Sequence, residues 1–119
     1  MSNRIISIAD DYSRFPGGRW RKDGPYSGEQ FRDDLLLPAL MAASARQDDK
    51  VIVDLDGVAG YSSSFLEESF GGAVRDGRVA PSIIARILEV RSKDPIYAGY
   101  HQDALRYFRD ALDAARAAA

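Results

Sequence analysis

An α/β fold follows from three features of this 119-residue sequence. Short runs rich in β-branched residues, "RIISIAD" and "KVIVDLDGV", alternate with longer stretches whose apolar residues recur every three or four positions. The second run is apolar enough to be covered on both faces, as a central strand is. Strands alternating with helices call for crossover connections, which are right-handed in nearly all proteins.

The chain opens with a strand over "RIISIAD", and "DDYSRFPGG" then collects Asp, Ser, Pro and Gly as a turn does. "GRWRKDGPY" is expected to return as a second strand. The resulting hairpin carries Arg14, Arg19, Arg21 and Lys22 near its tip or along one face, the one locally basic region. Ser27 and Gln30 have the spacing of a capping box, in which each side chain satisfies an orphan amide at a helix start. Phe31, Leu35, Ala39 and Ala42 form the apolar stripe of this first helix. Pro38 lacks an amide hydrogen and crowds the preceding turn, so a kink or a restarted helix is expected there.

"KVIVDLDGV" is the central strand. "SFLEESFGGAVRDG" predicts a second helix with Leu66, Phe70 and Ala73 on one face, ending near Gly77, with Gly71 and Gly72 permitting close contact with the sheet. "IARILEVRSKDP" reads as a further strand, and Asp94 before Pro95 as a helix cap followed by its first residue. The last helix places Leu105, Phe108, Leu112 and Ala115 on its apolar stripe. The order is ββαβαβα in a single domain, residues 1–119, with a mixed sheet of about four strands packed by about three helices.

Composition narrows the function classes. Hydrophobic residues at 45% and charged residues at 29% are ordinary for a soluble globular domain. A net charge of -2 with a pI near 5.3 lacks the basic footprint of a nucleic-acid binder. Cysteine is absent, so neither disulfides nor thiolate metal sites exist, which fits a reducing interior. No apolar run approaches the ~20 residues of a membrane span, and "MSNRIISIADD" is too short in its apolar part for a secretory signal. The expectation is a cytoplasmic protein, bacterial in style, without nucleic-acid or membrane partners. His101, the single histidine, has no second ligand to share a metal, so neither a metal nor a cofactor is expected.

"VIVDLDGVAGYSSSFLEESF" (51–70) supports two opposed readings. Its first half resembles the first motif of haloacid-dehalogenase-like phosphatases, which would make Asp54 the nucleophile and Asp56 the acid and base. A complete site of that kind also needs a lysine and further acidic metal ligands at later strand ends, and no such pair follows. "GYSSSF" likewise lacks the glycine-framed elbow of a serine hydrolase. The plain reading is that Asp54 and Asp56 end a strand and accept turn hydrogen bonds.

The second half, a serine cluster opening an amphipathic helix, resembles the STAS domains of anti-sigma-factor antagonists and sulfate transporters. The resemblance is closer still to STAS-like domains of unknown function, carried by "SGEQFRDDLLLPAL", "VIVDLDGV" and "SSSFLEESFGG" and covering about Ile5 to Leu112. It implies a non-enzymatic regulatory module that binds a separately encoded regulator, such as a histidine-kinase-like ATPase, and that is compatible with a homodimer. Laid on the antagonist motif Asp-Ser-Ser-Gly, Ser63 takes the place of the phosphorylated serine, Ser64 the next, Ser62 the aspartate and Phe65 the glycine.

From spacing alone, Ser64 and Glu67 form a capping box, leaving Ser62 and Ser63 without a structural task. A phosphate on Ser63 would then meet like charge on Glu67 and Glu68. The docking surface implied is Tyr61 to Ala73, with Tyr61, Phe65, Glu67, Glu68 and Arg19 as contact residues. The alternative is a small-ligand or anion site, for nucleotide or phosphate, at the helix start with Arg14 or Arg19 beside it. The place of those arginines separates the two.

Overall fold

The computed structural model describes residues 2–46 and 49–118. Three strands, β1 (Arg4–Ser7), β2 (Val51–Asp54) and β3 (Leu88–Arg91), form a parallel sheet in the order β1-β2-β3. Ile6, Val53 and Val90 align across it and are buried, and the helices pack on that face. On the opposite face the aligned Ile5, Ile52 and Glu89 are 53% exposed, 4% exposed and exposed respectively. Side chains also satisfy strand backbone groups. Asp11 Oδ2 accepts from the Ser7 amide at 2.8 Å, and His101 Nε2 donates to the Val90 carbonyl at 2.8 Å. Both shield backbone groups that an incoming strand could otherwise use.

The expected second strand does not form, so the sheet is parallel rather than mixed. Residues 13–26 instead make a strap over the helix layer. Pro16 and Pro25 cannot donate to a ladder, and Tyr26 adopts a left-handed φ of 57°. Among the described residues, strap backbone groups pair within the strap (Gly17 N to Tyr26 O, 2.8 Å), with the start of the first helix (Gly28 N to Gly18 O, 2.9 Å) and with the loop after β2 (Ala59 N to Arg14 O, 2.9 Å), and not with a strand.

Helix α1 (28–44) runs through three consecutive segments, Gly28–Phe31, Arg32–Leu36 and Leu37–Ser44. Ser27 caps it by accepting from the Gln30 amide at 3.0 Å, as its spacing predicts. Gln30 reaches back to the Tyr26 amide (3.3 Å) instead of that of Ser27. Pro38 neither ends nor restarts the helix. The turn before it is π-type, closed by the Leu37 amide on the Arg32 carbonyl, and its wider winding leaves room for the ring. The extra residue in that turn shifts the helical phase: Leu36, Leu37, Leu40 and Ala43 are buried, and the expected stripe residue Ala42 is exposed.

Helix α2 (63–76) is built the same way from Ser63–Leu66, a π-type turn at Glu67–Gly71 and Gly72–Asp76. It ends at Gly77, whose φ of 85° suits a residue without a Cβ. Helix α3 (Pro81–Ile87) is an addition to the expected elements; it occupies most of the segment that reads as the start of a strand, and β3 begins only at Leu88. Pro81 stands in its first turn, where the missing amide costs nothing. Asp94 does act as a cap, accepting from the Ile96 amide at 3.1 Å, and a short 3₁₀ turn at Pro95–Tyr97 leads into α4 (Ala98–Ala118). On α4 Ala104, Phe108 and Ala111 are buried, whereas Leu105 is 37% exposed and lies off the stripe.

Candidate functional site

The β2 strand delivers the chain to a tight turn and then to the serines. Asp54 Oδ1 accepts from the Asp56 amide (2.9 Å). Asp56 accepts from Ser92 Oγ (2.9 Å), the Lys93 amide (2.9 Å) and the Asp94 amide (3.2 Å). Burial pushes the Asp56 carboxyl up, but these three donors outweigh it and hold the group below the ordinary carboxylate value. Asp54 therefore closes the turn after β2, and Asp56 ties that turn to the segment after β3. Among the described residues no three His, Asp or Glu side chains converge as a metal site.

Tyr61 turns inward, 8% exposed, and donates its hydroxyl to the Leu55 carbonyl at 2.7 Å. Burial pushes its phenol pKa up. Phe65 is 0% exposed and sits 5.9 Å from the Phe31 ring and 5.8 Å from that of Tyr61. These two aromatics are core, not docking surface, because they fix the start of α2 to α1 and to the β2 turn.

The cap of α2 is Ser62, not Ser64. Ser62 Oγ accepts from the Phe65 amide at 3.0 Å and donates to the Gly17 carbonyl at 3.0 Å, so one hydroxyl joins the helix start to the strap. The predicted box between Ser64 and Glu67 does not form, since the burial of Phe65 and Leu66 starts the helix two residues earlier and arginines engage Glu67. Ser63 is the first helical residue and is exposed, and among the described residues its hydroxyl makes no hydrogen bond. Ser64 is half-buried behind it.

Beneath the turn lies a seam of ion pairs that the sequence pattern did not reveal. Glu67 takes two hydrogen bonds from Arg75 (2.7 and 2.8 Å) and one from Arg19 (2.7 Å). Hydrogen bonding from Arg75, opposed by burial and aided by Arg19, holds its carboxyl below the ordinary glutamate value. Glu68, 4% exposed, pairs with Arg32 from α1, with Arg19 at 3.1 Å and with Arg75 at 3.7 Å. Glu68 is therefore an interior group, contrary to its expected place on a docking face.

Gly71 and Gly72 make the seam geometrically possible. A Cβ at Gly71 would stand 2.4 Å from Glu67 Oε2, and one at Gly72 would stand 2.7 Å from Glu68 Oε2. The pair leaves room for two carboxylates folded back along the helix, rather than for the sheet. A sequence signal existed: "EESFGG" sets each glutamate four residues before a glycine. Of the two candidate strap arginines, Arg19 folds onto α2 while Arg14 pairs with Asp10 in solvent, 63% exposed.

A central parallel strand feeding a serine turn, with the following helix packed on one sheet face, defines a STAS-like α/β domain. The chain belongs to the family of STAS-like domains of unknown function (DUF4325), whose model matches residues 27–95. No curated protein and no solved structure matches the chain. The strap lies outside the matched segment.

Proposed function

We propose that this chain is a non-enzymatic regulatory module of the cytoplasm that binds a separately encoded regulator, with Ser63 as the residue modified to control that binding. The observation that carries the reading is the division of labour in the serine turn. Ser62 holds the helix and the strap, whereas Ser63 presents an exposed hydroxyl with no structural bond. Charge on Ser63 would change the surface without removing a cap. The resemblance to anti-sigma-factor antagonists suggests a histidine-kinase-like ATPase as the regulator. The aspartates after β2 favour a module over a phosphatase, because Asp56 already accepts three hydrogen bonds. No described helix is long and apolar enough to cross a membrane.

The test is phosphopeptide mapping of the protein isolated from its own cells, paired with quantitative comparison of proteins co-purifying with the unaltered chain and with Ser63→Asp. The reading expects phosphate on Ser63 and at least one regulator retained by the unaltered chain and lost from Ser63→Asp. An unmodified Ser63 across growth conditions, with identical co-purifying proteins, would refute it.

A further inference from the structure

We propose that Arg19 is the intramolecular receptor for a phosphate on Ser63, and that binding it moves the strap's anchor from the glutamates of α2 to the serine turn. The inference rests on the regulatory reading above and deepens it. Glu67 follows Ser63 by four residues, and its amide bonds to the Ser63 carbonyl, so the two side chains are neighbours on one helix face. Arg19 Nη1 already reaches that face, 2.7 Å from Glu67 Oε1. The strap carrying it crosses the same turn, where Gly17 accepts the Ser62 hydroxyl at 3.0 Å.

Arg19 is also the guanidinium that the seam can release. Without it Glu67 keeps both bonds from Arg75, at 2.7 and 2.8 Å. Glu68 keeps Arg32, with Arg75 at 3.7 Å. The exchange therefore strands no buried carboxylate, which would otherwise oppose it strongly. A serine phosphate carries about -1.5 to -2 charge at pH 7 and three acceptor oxygens, so it draws a guanidinium more strongly than a shared carboxylate does. Of the seam's charged groups, Glu67 shares the helix face of Ser63, and Arg19 and Arg75 reach that face through their pairs with it; Glu68 and Arg32 pair in the interior beneath.

The modification itself is a phosphoryl transfer from a nucleoside triphosphate. The Ser63 Oγ to phosphorus bond forms, the bond from that phosphorus to the bridging oxygen breaks, nucleoside diphosphate leaves, and the hydroxyl proton passes to the kinase's base. Arg19 then neutralises the product and ties the strap to it.

The experiment places phosphoserine at position 63 of the full chain during synthesis and follows the second ionisation of the phosphate by phosphorus NMR. With Arg19 present the midpoint should lie lower than in Arg19→Gln by about 0.5 or more on the pH scale. Arg19→Lys should fall between the two, and Lys22→Gln, on the same strap, should leave the midpoint unmoved. Equal midpoints with Arg19 and with Arg19→Gln would overturn the proposal, as would an equal change in Lys22→Gln. Should Arg19→Gln disorder the strap, the Arg19 Nε–H resonance of the unsubstituted chain decides instead: movement on phosphorylation supports the receptor, and none overturns it. Because the phosphoserine is built in during synthesis, this result is independent of whether cells modify Ser63, which decides the regulatory reading.

Discussion

The two sides of helix α2 are held by different physics. One side buries Phe65, Leu66, Phe70, Ala73 and Val74 in the hydrophobic core. The other meets α1 and the strap through Glu67, Glu68, Arg19, Arg32 and Arg75. Apolar packing is non-directional and tolerates changes of pH, whereas the ionic seam depends on charge state and on which partner each carboxylate holds. The core therefore fixes where α2 lies. The seam fixes how the strap sits over it, and that arrangement can be exchanged without unpacking the helix.

The contrast can be broken first on its apolar side. Phe70, fully buried, should cost about 3–5 kcal/mol when replaced by alanine, read by urea unfolding. Arg32→Ala, on the ionic side, should cost less than the about 3–5 kcal/mol of a fully stranded buried charge, because Arg19 remains 3.1 Å from Glu68. If both variants lost equal stability, the seam would be as structural as the core. Gly72→Ala should then lose about 1–3 kcal/mol, since the new Cβ would meet Glu68 Oε2 at 2.7 Å and Arg32 Nη1 at 3.1 Å.

Acid sharpens the same comparison. The folded-state pKa of Glu67 is depressed, chiefly by its Arg75 hydrogen bonds against the opposing effect of burial. Its contribution is thus complete above the unfolded value of about 4.3 and is lost as pH falls through the lower folded value. Urea midpoints should hold flat with respect to this group at neutral pH and decline below about pH 4, less steeply in Glu67→Gln. Asp56 acts with the same sign at the β2 turn, its three donors outweighing burial.

Much of the fold was legible because its signals are local. Periodicity located α2 and α4, β-branched runs located β1 and β2, and Gly77 and Asp94 marked helix boundaries where they occur. The failures are those of tertiary context. Basic and aromatic residues at 18–26 suit a strand, but Pro25 and the left-handed Tyr26 leave them no ladder to join. The π-type turn in α1 shifts the face that periodicity assigns, which is why Ala42 is exposed and Ala43 buried, whereas the stripe expected on α2, Leu66, Phe70 and Ala73, is buried. Glu67 and Glu68 read as docking-surface residues because their arginine partners lie up to 49 residues away in sequence. Three consecutive serines offer three helix starts, and only the burial of Phe65 and Leu66 selects among them.

That selection makes the serine turn the most direct test of the whole account, through the urea unfolding of three single variants measured side by side. Ser62→Ala should lose about 1 kcal/mol as the cap of α2 and the bond to Gly17 disappear together. Ser63→Ala and Ser64→Ala should each stay within about 0.5 kcal/mol of the unaltered chain. A silent Ser62→Ala beside a destabilising Ser63→Ala would contradict the account, because the exposed hydroxyl assigned to regulation would then be holding the fold.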